Sequence, residues 1–214
     1  MEMNDHTIFI VGCGPGGADY VSPAAAQAVA GACTVLGSER LLRLFPETTR
    51  RQVVLPPAVD AAIQMMETHR SAGPTAVLVS GDPGMFSLAK PIIAHFGPKH
   101  CSVIPGISSL QIAYARLGLD WSDARIVSAH GRTPEVTSAE LSHSQSIAIF
   151  GGTPEAAAWV SRIAAELSAS HRLFVCEDLT LPTEKVYEAN PIELRASELS
   201  SLVILILVRY CENL

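Results

Sequence analysis

The segment Val77-Leu78-Val79-Ser80-Gly81-Asp82-Pro83-Gly84-Met85-Phe86-Ser87 begins as an apolar run and stops abruptly at small, turn-forming residues. The run, residues 76–79, has the length and content of a buried strand. Pro83 biases Asp82 toward an extended backbone. Gly81 and Gly84 admit backbone angles, or a close approach to a ligand, that a side chain would block. A carboxylate and several bare peptide groups therefore stand at the end of a buried strand, where open α/β sheets bind ligands. An ordinary strand-to-helix turn uses the same residue types. What favours a binding role is a second turn of similar build, Ile104-Pro105-Gly106-Ile107-Ser108-Ser109, and a third, Gly12-Cys13-Gly14-Pro15-Gly16-Gly17.

Around these turns strands and helices alternate. Residues 7–11, 33–36, 53–55, 76–79 and 102–104 read as strands. Helices are predicted over 24–30, 38–45, 57–69 and 108–117, the third with Ala61, Ile63, Met65 and Met66 on its inner side. Pro91 is expected to interrupt or kink the segment that ends at Phe96. Such alternation argues for a mostly parallel sheet covered on both faces. The pattern breaks after Gly118, which places an N-terminal α/β domain over 1–118, a linker over 119–123 and a C-terminal α/β domain over 124–214. In the latter, strands at 125–128, 147–150, 173–176, 185–188 and 202–208 and a helix at 154–168 predict a more mixed sheet.

Taken literally, the N-terminal turn contains G-x-G-x-x-G, and Glu39 lies about where a ribose-binding acid would sit. A dinucleotide site needs its helix to open at the glycines, so that the helix N-terminus meets the pyrophosphate. Here the start signals come later: Ser22 suits an N-cap and Pro23 the first helical position. Residues 18–21 intervene as loop, which weighs against a nicotinamide cofactor.

Composition narrows the classes further. Of 214 residues, 48% are hydrophobic and only 17% charged, below the usual charged share of roughly 25%. Some surface is thus expected to be buried between subunits. A net charge of -6 lacks the basic field of a nucleic-acid binder. Cys13, Cys33, Cys101, Cys176 and Cys211 are scattered and never spaced as Cys-x-x-Cys, the usage of reduced cytoplasmic thiols. His69, His95, His100, His143 and His171 show no metal-ligand spacing, so no protein metal site is expected. The N-terminus has no signal-peptide pattern. The most apolar run, 202–208, is far shorter than the about 20 residues of a membrane-spanning helix. A soluble, cytoplasmic protein is expected.

In order and spacing, Gly12-Cys13-Gly14-Pro15-Gly16, Ser80-Gly81-Asp82-Pro83-Gly84, Pro105-Gly106-Ile107-Ser108-Ser109 and Phe150-Gly151-Gly152-Thr153-Pro154 resemble the motifs of the tetrapyrrole methylase family. The segment Leu110-Gln111-Ile112-Ala113-Tyr114-Ala115-Arg116-Leu117-Gly118, with Trp121, Asp123 and Ser128-Ala129-His130-Gly131-Arg132, is similar to its CbiE-type branch of (cobalt-)precorrin carbon-5 methyltransferases. The resemblance implies a two-domain fold, a homodimer, and S-adenosylmethionine folded in the cleft between domains, with S-adenosylhomocysteine as product. It puts Gly81 and Asp82 at the methionine end of the cofactor with Met85 nearby, Ser108 and Ser109 by its polar groups, and Pro15 on the pocket floor. Phe150 and Leu179 match positions that pack on the adenine side; many relatives carry Met where Phe150 stands. The acid or phenol that some relatives place after the second strand aligns with any of Gly37, Ser38 and Glu39, so no general base follows.

Methyl transfer to carbon is an in-line displacement at a sulfonium, and the cofactor supplies the leaving group. The protein chiefly holds the reacting atoms at about 3–3.5 Å in line. A backbone-lined pocket with one carboxylate suits that task better than a triad of catalytic side chains. The ring substrate carries many carboxylates. His130 and Arg132, in a strand-end loop, are candidates to receive them, since an arginine fork grips carboxylate; a solvated loop arginine is the alternative. Any cobalt would arrive inside the substrate. A same-fold enzyme with another acceptor, or a nucleotide-binding module without chemistry, are the competing expectations. Some relatives are fused to a second module that methylates carbon 15 with decarboxylation. Here that step is expected to fall to a separate protein.

Overall fold

The computed structural model describes residues 7–48, 50–129, 133–194 and 199–210. The chain forms two compact units, Met1–Ser108 and Ser109–Leu214, so the helix after Ser108 counts with the second.

In the first unit, β1 (Ile8–Gly12), β2 (Thr34–Gly37), β3 (Arg51–Val54), β4 (Thr75–Val79) and β5 (Cys101–Ile104) form a sheet in the order β3-β2-β4-β1-β5. Every pairing in it is parallel. Strand β1 reads Ile-Phe-Ile-Val-Gly and is buried along its length, the unbroken apolar run of a strand covered on both faces. Phe9, Val11, Val35, Ala76 and Leu78 pack on one side with Ala25 and Val29 of α1 (Pro23–Gly31) and Leu41 and Leu42 of α2 (Glu39–Leu42). Ile8, Ile10, Leu36, Val77 and Val79 pack on the other with α3 (Val59–Arg70) and α4 (Ala89–Phe96). Burying one such side chain contributes about 1.5–3 kcal/mol, so the alternation of faces decides the register.

The start signals of α1 act as read: the Ser22 side chain accepts from the Ala25 amide at 3.1 Å and Pro23 opens the helix. A single 3-10 turn, Ala18–Tyr20, separates it from the glycines, so α1 does not open at the Gly12–Gly17 loop. Other boundaries differ from expectation. Helix α4 begins only at Ala89, so Pro91 falls in its first turn, where an amide has no intrahelical acceptor, and it breaks nothing. Helix α2 is a single turn, because its chain turns off before Pro46. On α3 the fully buried positions are Ala62 and Met66, one turn apart, with Ile63 and Met65 partly buried against the same core; Ala62 takes the place expected for Ala61.

In the second unit, β6 (Ala124–Ser128), β7 (Ser146–Phe150), β8 (His171–Glu177), β9 (Lys185–Ala189) and β10 (Val203–Arg209) take the order β6-β7-β10-β8-β9. Only β6 and β7 pair in parallel; β10 runs antiparallel to both neighbours and β9 antiparallel to β8. This is the mixed sheet the sequence predicts. Trp159, Val160 and Ile163 of α7 (Pro154–Leu167) pack on Ile147, Ile149, Val175 and Leu205. The helix α5 (Ser109–Leu117) packs along β10, and its buried Tyr114 hydroxyl meets Ser146 Oγ at 2.9 Å. A short helix not anticipated, α6 (Ser138–Leu141), is closed by a capping box between Thr137 and Glu140. The Thr-x-x-Glu spacing is a legible start signal. No helix among the described residues is long and apolar enough to cross a membrane.

Candidate functional site

Strand β1 lies between β4 and β5. The chain leaves β1 for β2, returns to β4, then crosses to β5 on the far side. The C-terminal ends of β1, β4 and β5 thus meet at a topological switch point, where open parallel sheets bind their ligands. The three glycine turns of the sequence are the loops at that point.

They are packed backbone on backbone. The Cys13 amide donates to the Val79 carbonyl at 2.9 Å; Gly14 and Gly81 then exchange both their amide–carbonyl bonds, at 3.3 and 2.7 Å. A Cβ on Gly106 would stand 2.3 Å from the Gly81 carbonyl oxygen and 2.8 Å from that of Gly12. One on Gly12 would stand 2.6 Å from the Gly106 nitrogen. Real Cβ atoms do not come that close to backbone, so glycine is required at both positions. Asp82 closes the arrangement. Its Oδ1 accepts from the Gly84 amide at 2.8 Å and its Oδ2 from the Gly106 amide at 3.2 Å. The carboxylate thereby fastens the turn after β4 to the turn after β5. Each oxygen keeps a lone pair for a ligand, so turn forming and ligand binding are compatible roles.

Beside this cluster lies a side chain the sequence did not single out. Arg40 of α2 donates from Nη2 to Ser80 Oγ at 3.1 Å. Its Nη1 is buried and has no hydrogen-bond partner among the described residues. Burial pulls the guanidinium down from its ordinary value, with nearby Cys13 acting weakly the other way. Burial likewise pushes the Cys13 thiol up to about 12, so Cys13 is a neutral group. A cation directly after a parallel strand was the only available signal, and helix surfaces are full of such cations.

In the second unit, β7 and β8 both run antiparallel to β10, with Phe150 opposite Ile204 and Glu177 opposite Val203. Phe150 and the turn after β8 therefore lie at the same end of the sheet. That turn is strained: Asp178 and Thr180 have φ of 48° and 70°, a region β-branched residues avoid. Such angles persist only where surroundings over-determine them. Here Asp178 accepts from Thr183 Oγ1 at 2.9 Å and Ser200 Oγ at 2.5 Å, and the Thr180 amide donates to Glu184 at 2.5 Å. Arg116 of α5 in turn donates from Nε to Glu184 at 2.6 Å. That hydrogen bond is the main cause of the depressed pKa of the Glu184 carboxyl. Leu179, between the two left-handed residues, is buried.

The structure thus gathers Gly81 and Asp82 with Met85, whose amide donates to the Asp82 carbonyl at 3.0 Å. Pro15 is buried in the adjoining loop, and Ser108 and Ser109 straddle the junction of the two units, Ser108 buried. Phe150 and Leu179 belong to the second unit. His130 and Arg132 lie outside the described residues. Among the described residues, no group of three or more His, Cys, Asp or Glu could hold a metal ion.

Residues 7–194 match the tetrapyrrole (corrin/porphyrin) methylases. The chain is 32% identical over 182 residues to the cobalt-precorrin-7 C(5)-methyltransferase of Salmonella typhimurium, covering 83% of this chain and 88% of that protein. It is 28% identical over 203 residues to the probable cobalt-precorrin-7 C(5)-methyltransferase of Methanocaldococcus jannaschii, covering 92% and 95%. Among solved structures, the cobalt precorrin-4 methyltransferase CbiF superposes with a TM-score of 0.79 at 18% identity, covering 95% of each chain. The uroporphyrin-III C-methyl transferase of Thermus thermophilus complexed with S-adenyl homocysteine superposes with 0.76 at 20%, covering 94% of this chain and 97% of that one. At those identities the structures show the fold alone.

Two expectations follow from the geometry. Gly106→Ala pushes a methyl into backbone that cannot yield locally, so it is expected to lower the urea midpoint by the equivalent of about 1–3 kcal/mol. Glu184→Ala should speed amide exchange at Thr180 by about tenfold in hydrogen-exchange mass spectrometry while the core strands keep their protection. In the parent protein this contribution is present above the ordinary carboxylate value and is lost only as pH falls through the lowered one. Equal exchange at Thr180 in parent and variant would show that Glu184 does not hold the turn.

Proposed function

The chain belongs to the tetrapyrrole methylase family, and on that premise we propose that it transfers one methyl group from S-adenosylmethionine to carbon 5 of a late (cobalt-)precorrin ring in cobalamin synthesis. The observation that carries this reading is the 32% identity running through both units to a protein named for carbon-5 methylation alone, across 88% of its length.

The lining at the switch point fits the cofactor. Gly12 and Gly106 let the turns close backbone on backbone into a firm floor, and Asp82 stands as a fixed negative charge. A carboxylate and backbone carbonyls suit a ligand that carries an ammonium and a sulfonium. Gly81, Asp82 and Met85 would hold the methionine end, Ser108 and Ser109 its polar groups, and Pro15 the floor. Phe150 and the strained turn at Leu179 would pack on the adenine. His130 and Arg132 would receive ring carboxylates.

When bound, the cofactor supplies an electrophilic methyl and a neutral thioether leaving group. What remains for the protein is orientation and exclusion of water, which needs rigid walls more than reactive side chains. The Asp82 clamp and the interlocked glycines are such walls. A homodimer, supported by the low charged fraction of 17%, and a cytoplasmic location, supported by the scattered cysteines, are parts of the same proposal. The carbon-15 step is assigned to another protein.

Purified protein given S-adenosylmethionine and a ring lacking the carbon-5 and carbon-15 methyls is expected to add a single methyl by mass spectrometry. Addition of two, loss of carbon dioxide, or no transfer would overturn the assignment. Asp82→Asn must turn an N–H toward the amide of Gly84 or of Gly106. It should weaken S-adenosylhomocysteine binding in calorimetry by about tenfold or more and also lower the urea midpoint. Unchanged binding would leave Asp82 as a turn residue only.

A further inference from the structure

The Arg40 guanidinium is a cation without its counter-charge. Nη1 is buried with no hydrogen-bond partner among the described residues, while Nη2 has only the hydroxyl of Ser80. The nearest acid in sequence, Glu39, is taken by Arg43 at 2.5 Å. The other titratable group close enough to matter, Cys13, is held neutral by burial. A guanidinium does not escape by losing its proton. Burying it without an anion is costly, and a buried polar group left unpaired calls for an explanation.

Its position supplies one. Ser80 is the first residue beyond β4 and is exposed. It lies on the lip of a recess of about 460 Å³ at the C-terminal ends of β2, β3 and β4, walled by Leu55, Pro57, Leu78 and Phe86. Those walls are apolar; Ser38, Ser80, Ser87 and Glu39 are the polar groups of the lining. The Glu39 carboxylate is paired with Arg43, and Arg40 stands behind the lip, joined to it through Ser80. Such a lining suits the edge of a large flat ring whose charged arm must find a cation nearby. The Asp82 clamp, by contrast, spans β4 to β5 across β1, on the other side of β4 from α2.

We propose that the exposed edge formed by Arg40 Nη2 and Ser80 receives a carboxylate arm of the ring substrate, whose ring edge rests in the adjoining apolar recess. This rests on the methyl-transfer reading above. No acid among the described residues forms an ion pair with Arg40, so its positive charge is open to an arriving carboxylate at the Nη2 edge. Ser80 has two uses here: it orients the guanidinium as an acceptor and donates its own hydroxyl proton to the arriving arm.

Cobyrinic acid, a corrin with free carboxylate arms, and its fully esterified form serve as probes, with binding followed by tryptophan fluorescence quenching. Arg40→Gln is expected to weaken binding of the free acid about tenfold or more and to leave the ester unchanged. Arg40→Lys, which keeps the charge and loses the fork, should fall between. S-adenosylhomocysteine affinity should stay within about twofold of the parent in both variants. Equal binding of the acid by parent and Arg40→Gln overturns the inference, as does a loss of S-adenosylhomocysteine affinity with ring binding intact. The second outcome would assign the cation to the cofactor's carboxylate. A parent protein that binds neither ring form, whatever the variants do, would sink the ring-substrate reading itself, and this inference with it.

Discussion

The first unit depends on the approach of Gly12 to Gly106, peptide against peptide with no room for a methyl group. Because β1 sits between β4 and β5, the turns that follow all three strands must pass through one small volume. They do so only if their backbones touch. The Gly14–Gly81 bridge and the Asp82 carboxylate then convert that contact into a fixed object, with four hydrogen bonds joining or bracing the turns. Rigidity at this point serves the proposed chemistry directly. Methyl transfer from a sulfonium asks the protein for alignment, and alignment is lost by displacements of about 1 Å.

The second unit reaches a comparable end by different means. Its candidate contact, Leu179, sits between two residues in the left-handed region. The strain there, about 1–3 kcal/mol per residue, is offset by a chain of polar contacts from Arg116 through Glu184 to the Thr180 amide. The first cluster rests on glycine backbone contact closed by one carboxylate, the second on a chain of side-chain hydrogen bonds. Arg40 differs from both: its charge is not matched within the described residues, and it is the one group near the first site that gains most from an incoming anion.

Much of this was legible beforehand. Ser22 and Pro23 mark the start of α1 well beyond the glycine motif, and the helix begins there, with the 3-10 turn at Ala18–Tyr20 between. The alternation of apolar runs with helical segments predicted a parallel sheet and then a mixed one. The Thr137–Glu140 capping box is an equally local signal of a helix start. Pro91 misled, because a proline in a first helical turn and a proline in a helix interior look alike when the start of the helix is unknown.

What the sequence determined by itself was whatever depends on near neighbours along the chain: caps, turns, the burial of apolar runs, and the glycine positions. Periodicity and backbone preference act over a few residues and leave their marks in order. What only the tertiary structure decided was which groups meet. That Asp82 accepts from Gly106, and that Arg40 reaches Ser80 across forty positions, follows from the strand order β2-β4-β1-β5. No local preference records that order. It is set by how two apolar layers of helices cover one twisted sheet, and the sum of that packing is a property of the folded unit, not of any segment within it.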